Sequence, residues 1–432
     1  MLIMKKLLSV IMIMGMVSCA DRAYVETFDK VVKEFSSESF YGRNNYDNGE
    51  KRAADYIVAK FNELCVSDFV VAPKMQSFSY PLNVMRGAMA FAVDGKRYEP
   101  TYDFVVKEFS PTFKGTLPVV SGLDVTKYTP EGFADYINNL PDAASSAIVI
   151  DYEKFHECLG KQLEDIYLKY FTKIDVGGVI FKYGRRPEFF KARSWFVLNF
   201  PTVCVGPDFP EDAKMVDIEI ESEMIPKHDS QNVYAWVKGT SDEKDYYVFI
   251  AHYDHLGFMG KENLFQGAND NASGTAALLA LAEYYSKPQN RPERDILFLW
   301  VGGEESNLLG SLHYVHNPIY KLEDIRYLIN LDMIGDTAEE LYCECSVTGQ
   351  KGLDMMKDII SNQGYFKNVV QGEMVDNSDH YFFGVEGVPA MYFETKGEYY
   401  QYYHTPRDTY DNFTTSSWER LFEVVTAFVK EY

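Results

Sequence analysis

The chain has 432 residues, 46% hydrophobic and 15% aromatic, enough apolar surface to exclude an extended disordered polymer. Its formal net charge of −22 argues against nucleic acid or an anionic membrane surface as a partner. No long acidic run gathers that charge into a tail.

In chain order, residues 1–19 read as an export signal. Lys5 and Lys6 form a basic start, Leu7 to Val17 an apolar stretch too short to cross a bilayer, and Ser18-Cys19 follows. Met16-Val17-Ser18-Cys19 resembles a bacterial lipobox, with methionine where leucine is usual. The expectation is a lipoprotein signal peptide over 1–19 and an exported body in the periplasm or at the outer membrane, attached to the membrane only through that lipid. An ordinary signal peptide that contains a cysteine is the alternative. Setting Cys19 aside leaves Cys65, Cys158, Cys204, Cys343 and Cys345, an odd number that does not suit a disulfide scaffold. Cys343 and Cys345 alternate along a strand-like run and are expected to be strand cysteines rather than ligands.

Residues 22–81 read as two helices and an extended run. Tyr24 to Phe35 has helical spacing, Ser39 to Arg43 breaks it, and Gly49 to Leu64 resumes it with Ala53, Ala54, Ile57, Val58 and Phe61 on one face. Phe69 to Tyr80 follows as an extended segment. Between 82 and 228 the texture changes to short β-like runs: Ala88 to Val93, Leu117 to Val120, Ala147 to Asp151, Gly177 to Phe181 and Val203 to Val205. Asp94-Gly95 suggests a hairpin. No grouping of His, Asp and Glu at ligand spacing stands out there, and the segment is expected to be a smaller, β-rich inserted domain. From 229 to 432 strands alternate with helices: Tyr246 to Ala251, Ile296 to Val301, Tyr327 to Leu331 and Ala390 to Phe393 as strands, with Ala272 to Tyr285, Leu308 to Val315, Leu353 to Ser361 and Ser416 to Val429 as helices. This predicts an α/β fold, a mixed and mostly parallel central sheet flanked by helices, built from 22–81 and 229–432.

Five metal-binding side chains recur in the second half, each on a short motif: His252 in A-H-Y-D-H, Asp270 in G-A-N-D-N-A-S-G, Glu305 in G-G-E-E-S, Asp332 in N-L-D-M-I-G and His404 in Y-Y-H-T-P. Two histidines and three carboxylates suit a pair of zinc ions that share one bridging carboxylate. His252, Glu304-Glu305 and Asp332 fall at or just past the C-terminal ends of predicted strands, where open α/β sheets place their ligand sites. Asp254, two residues from His252, is placed to accept a hydrogen bond from the second imidazole nitrogen. His255 has no assigned role beyond a pocket or surface position. Asn269 and Asn271 are expected to cap the helix that follows. In irregular backbone Glu304 and Glu305 point in different directions, so one can bind metal while the other faces the attacking water as general base.

Together, G-A-N-D-N-A-S-G, G-x-E-E-x-x-x-x-G-S, N-L-D-M-I-G and Y-H-T-P-x-D-T resemble the zinc aminopeptidase and glutamate carboxypeptidase family, strongly over 229–432 and in outline over 22–81. The resemblance implies a co-catalytic site with two zinc ions per chain and a peptide substrate. His252 and Asp332 would complete one ion, Glu305 and His404 the other, and Asp270 would bridge them. Glu304 would activate the bridging water, and Tyr403 matches a position that in some relatives hydrogen-bonds the reaction intermediate; packing is the alternative for Tyr403. Ser378-Asp379-His380 also matches a family motif, and His380 is expected to contact substrate or to serve a structural hydrogen bond. The 82–228 segment is similar to protease-associated domains inserted in exported peptidases.

The same fold serves glutaminyl cyclases, which use one zinc, but those usually depart from Ala272-Ser273-Gly274 and Thr405-Pro406, both present here. A non-catalytic binding lipoprotein is disfavoured by the intact ligand set. Carboxypeptidase relatives grip a terminal carboxylate with arginines; Arg291, Arg294 and Arg407 form no evident cluster, which favours an aminopeptidase over a carboxypeptidase and leaves a dipeptidase or other amide hydrolase as alternatives. The many aromatics suggest an apolar side-chain pocket.

Overall fold

In the computed structural model, the described residues are 22–44, 46–159, 167–187 and 195–432. The leader and lipobox expected at 1–19 lie outside them. The chain begins with two amphipathic helices, α1 (Ala23–Phe35) and α2 (Gly49–Leu64). α1 buries Phe28, Val31, Val32 and Phe35, and α2 buries Ala53, Ala54, Ile57 and Phe61, the spacing of a single helical stripe. Strand β1 (Val70–Val84) follows.

The next stretch folds around its own sheet, formed by β2 (Met89–Val93), β3 (Lys96–Tyr98), β4 (Phe104–Val106), β5 (Phe113–Val120), β6 (Ala147–Asp151), β7 (Gly178–Lys182), β8 (Thr202–Val205) and β9 (Met215–Ile220). Among the described residues the strand order is β3-β2-β9-β5-β6-β7-β8-β4. Its centre, β5 to β8, is parallel, and α3 (Phe133–Asn138) and α4 (Tyr152–Leu159) connect strands of this part. The Asp94-Gly95 turn joins β2 to β3 as an antiparallel hairpin.

The chain returns along β10 (Glu223–Val237), which runs antiparallel to β1 over most of their length. The sequence-based limits at 82 and 228 fall inside these two strands. The outer half of β10 is polar and exposed and only its last eight residues are buried, so hydrophobic patterning alone does not disclose the strand. Then come β11 (Tyr246–His252), β12 (Gly257–Met259), β13 (Asn263–Phe265), α5 (Gly274–Tyr285), β14 (Asp295–Val301), α6 (Leu309–His316), β15 (Ile325–Leu331), β16 (Glu340–Cys345), α7 (Gln350–Gln363), β17 (Asn368–Gln371), α8 (His380–Val385), β18 (Ala390–Thr395) and α9 (Ser416–Glu431).

The main sheet has the order β1-β10-β14-β11-β15-β18-β16-β17. Its four central strands, β14, β11, β15 and β18, are mutually parallel. They therefore bring their C-terminal ends to one edge. β11 and β14 are apolar almost throughout and buried on both faces, as a covered parallel sheet requires. One face packs against α1, α2, α5, α7 and α9, the other against α6 and α8. This is the mixed, mostly parallel sheet flanked by helices that the alternation predicts.

Two details tie this body together near the sheet edge. The β12–β13 hairpin sends Leu256, Met259 and Phe265 into the apolar core of the second sheet, and Gly260 N–H donates to the Met85 carbonyl at 2.7 Å. Gly42 (φ +63°) lies against this hairpin, where a Cβ would meet Gly257 Cα at 2.7 Å. Cys65, Cys158, Cys204, Cys343 and Cys345 are free, and Cys343 is buried on β16.

Trp418 of α9 is fully buried and stacks on Phe28 of α1 with ring centroids 5.0 Å apart, so α9 closes over α1. Trp418→Ala is expected to lower the unfolding free energy by roughly 3–5 kcal/mol, measured as a reduced denaturation midpoint at unchanged slope.

Candidate metal centre

His252 ends β11, Glu304 and Glu305 follow β14, and Asp332 follows β15. Parallel register sets His252 beside Val301, so three segments deliver polar side chains to the same edge. Asp270 enters from the turn before α5 and His404 from the segment after β18.

All five side chains converge. His252 Nε2 is 3.3 Å from both Asp270 Oδ1 and Asp332 Oδ1. His404 Nε2 is 3.1 Å from Asp270 Oδ2 and 3.3 Å from Glu305 Oε2. Asp270 thus turns one oxygen to each half of the cluster. Atoms bound at about 2.0–2.1 Å to one tetrahedral centre stand roughly 3.3 Å apart, so the separations suit zinc. Every member is at most 5% exposed. Burying three carboxylates against two imidazoles leaves negative charge that dications would balance.

Glu304 offers an oxygen within 4.8 Å of ligand atoms of His252 and Asp332. Burial raises its carboxyl well above the usual range, and Glu305, Asp379 and Asp332 add to the effect. Burial disfavours the charged form of His404, but Glu305 and Asp270 outweigh it and push the imidazole up to about 10. For Asp270 burial works upward, while His255, His252 and His404 hold it well below the usual carboxylate range.

His255, given no role by the sequence, is buried with Nδ1 2.7 Å from Glu305 Oε1 and 3.6 Å from Asp270 Oδ2. It forms a second metal-capable set with these two carboxylates.

The expected contact of the Asp254 carboxylate with His252 takes a different form. β11 ends at His252, so residues 252 and 254 do not share one extended face. His252 Nδ1 lies 3.1 Å from the Asp254 backbone carbonyl and 3.8 Å from its carboxylate. The carboxylate instead accepts the backbone N–H groups of Glu304 and Glu305 at 3.1 and 3.2 Å, orienting the two glutamates rather than the imidazole.

The Asp270 turn is held from two sides by residues that carry no ligand pattern. Fully buried Arg43 donates to the carbonyls of Tyr253, Gln266, Gly267 and Asp270 at 2.5–3.1 Å. Asp408 accepts the N–H groups of Asn269 and Asp270 at 2.8 and 3.0 Å. Gly267 (φ +63°) must be glycine, since a Cβ would come within 2.5 Å of Arg43 Nη2. Asn271 Oδ1 accepts from Gly274 N–H at 2.7 Å, as a helix cap does. Asn269 Oδ1 reaches instead to Gly335 N–H at 2.8 Å, securing the Asp332 loop. Ser378 Oγ donates to Asp332 Oδ2 at 2.8 Å.

His380 is not among the described residues that line the cleft beside His252 and His404. It is fully buried at the start of α8, its ring stacked on Tyr392 and Nε2 3.5 Å from Glu344 Oε2. Tyr403 does face the site. It lines a cleft of about 150 Å³ together with His252, Glu304, Asp332 and His404, and its ring stacks on His404 with centroids 3.8 Å apart. Burial, then Asp270, Glu305 and Glu304, keep its hydroxyl protonated.

Arg43→Met would leave several buried carbonyls without a donor. It is expected to cost roughly 3 kcal/mol or more of stability and to weaken metal retention, measured by thermal melts with and without added zinc.

Residues 232–429 match the profile of Peptidase family M28. Aminopeptidase YwaD of Bacillus subtilis is 31% identical over 215 residues, 47% of this chain and 44% of that protein. The vacuolar membrane protease of Kluyveromyces lactis is 30% identical over 195 residues, 42% of this chain and 19% of that protein. The chain therefore aligns with less than half the length of either relative. Among solved structures, an aminopeptidase from Aneurinibacillus sp. strain AM-1 superposes with a TM-score of 0.68 at 20% identity, covering 94% of this chain and 93% of that one. BSAP, a zinc aminopeptidase from Bacillus subtilis, superposes at 0.66 and 20% identity, covering 94% and 95%. At such identity these likenesses establish the fold, a mixed sheet flanked by helices. Over residues 232–429 the chain is thus similar in sequence to peptidase family M28, and its fold is that of the two aminopeptidase structures.

Proposed function

We propose that this protein is a zinc-dependent aminopeptidase that hydrolyses the N-terminal peptide bond of its substrates. The observation that carries this reading is the position of Asp270, one oxygen 3.3 Å from His252 and the other 3.1 Å from His404, with Glu304 beside the cluster on the cleft wall. His252 and Asp332 would hold one ion, Glu305 and His404 a second, and Asp270 would belong to both. When bound, zinc supplies Lewis acidity that polarises a carbonyl and acidifies water. Glu304 then takes the proton of the attacking water and returns it to the leaving amine. Tyr403 keeps its hydroxyl proton and donates to the developing oxyanion. Asp254 holds Glu304 and Glu305 in their opposed orientations through their backbone N–H groups.

The arginines favour attack from the amino end. Arg291 binds the carbonyls of Lys238 and Gly239, Arg294 pairs with Asp245 and Glu293, and Arg407 donates to the Tyr402 hydroxyl. None of the three is among the described residues lining the cleft.

Residues 82–228 are proposed to be a separate inserted domain of the protease-associated kind, on the ground that the sheet formed by β2 to β9 has its own apolar clusters. Export as a lipoprotein tethered through Cys19, to the periplasm or outer membrane, is proposed on the leader pattern of residues 1–19. Among the described residues no helix is long and apolar enough to cross a membrane.

Glu304→Gln is expected to retain zinc and to lose roughly a thousandfold in kcat; turnover that survives the substitution would remove Glu304 as the base. N-acetylation of a peptide substrate is expected to abolish cleavage, and equal hydrolysis of free and acetylated peptides would count against amine recognition. Metal analysis should find two zinc ions per chain; one zinc with release of pyroglutamate from N-terminal glutamine would mean a cyclase.

A further inference from the structure

β18 presents Met391 and Phe393 to the main core and, by strand alternation, Tyr392 and Glu394 to the opposite face, with Lys396 next in the same rhythm. Tyr392, Glu394 and Lys396 all line the cleft that holds the metal ligands. Lys396 is the one lysine or arginine among the described residues that line it. The apolar pocket suggested by the many aromatics is thus interrupted by an ion pair.

The pair is asymmetric. Lys396 Nζ lies 3.1 Å from Glu394 Oε2, but the Glu394 side chain is 6% exposed and that of Lys396 41%. The ammonium also stands 3.8 Å over the ring of Tyr342, the cross-strand partner of Glu394 on β16. Tyr342 is fixed in turn by its hydroxyl, which donates to Glu344 Oε1 at 3.0 Å. An ammonium has three donors; Glu394 takes one and the aromatic face covers a flank. A group entering the cleft meets the remaining positive charge before it meets the shielded carboxylate. The cleft, about 150 Å³, is smaller than the ~300–1,000 Å³ pockets that enclose drug-sized ligands, so it has room for little more than one substrate residue, and Lys396 shares its lining with His252, Glu304 and His404.

We propose that Lys396 receives a carboxylate of the substrate, with Glu394 and Tyr342 as positioning residues. The substrate class is a peptide whose N-terminal side chain is acidic, or a short peptide whose C-terminal carboxylate reaches the same point. The inference rests on the aminopeptidase reading of the site.

The test uses the zinc-loaded full chain and its Lys396→Gln and Lys396→Arg variants. It compares Glu-p-nitroanilide with Gln-p-nitroanilide, and Leu-Gly with Leu-Gly amide, each pair differing by one carboxylate. The unsubstituted protein is expected to favour the charged member of one pair by about tenfold in kcat/KM, the worth of one charge-assisted hydrogen bond. Lys396→Gln should erase that ratio mainly through KM, and Lys396→Arg should restore most of it, at unchanged Tm. The first pair reports an acidic side chain and the second a terminal carboxylate. No preference in either pair, or one that survives Lys396→Gln, overturns the assignment. A preference for Lys-p-nitroanilide does the same and gives the subsite to Glu394. Failure of the zinc-loaded protein to cleave any of these substrates would defeat the aminopeptidase reading itself, and this inference with it.

Discussion

A buried guanidinium and a buried carboxylate grip the turn that carries Asp270. Arg43 draws four backbone carbonyls toward itself from one side, and Asp408 draws two N–H groups from the other. Neither charge would be tolerable alone in an apolar interior. Arg43 is offset by the carboxylates around it, Asp270, Asp408, Asp254 and Glu305 among them. Burial still lowers its pKa to about 10, well above neutrality, so the grip persists across physiological pH. With the turn fixed, the two oxygens of Asp270 can face different imidazoles, and the rest of the centre assembles about them. His252, Glu305 and Asp332 sit at or just past strand ends, so the sheet sets their spacing, and the clamp holds the Asp270 turn among them.

The five converging side chains could be picked out because metal chemistry restricts residue type and because strand ends restrict place. His252, Glu305 and Asp332 come directly after apolar runs that announce themselves as buried strands. The supports were not legible for the opposite reason. Arg43 lies in a short turn with several left-handed residues, more than two hundred positions from the Tyr253, Gln266, Gly267 and Asp270 carbonyls it binds, and nothing in its neighbours marks it as interior. Asp408 sits within Y-H-T-P-x-D-T, a motif whose terminal carboxylate could have prompted the question of what it holds. Asp254 shows a subtler limit. H-x-D suggests a shared face only while the strand continues, and here it stops at the histidine. His380 fell between two expectations because its motif implies nearness to the site without implying exposure, and it is buried behind the site against Tyr392 and Glu344.

At the level of the fold, alternation of apolar runs with amphipathic helices foretold the central parallel strands and the helices covering them. Phe69 to Tyr80 disclosed most of β1, but β10 escaped because its outer half is solvated and polar. Burial in β10 begins only at Ser230, so its middle reads as a boundary.

That pair is not the sole connection between the two sheets. The β12–β13 hairpin lies in sequence between His255 and the Asp270 turn, yet its apolar side chains belong to the core of the second sheet. The loop that leads to Asp270 is therefore folded partly against the core of the neighbouring body. Without that body, Leu256, Met259 and Phe265 would lose the apolar cluster that buries them, within a few residues of His255 and Asp270.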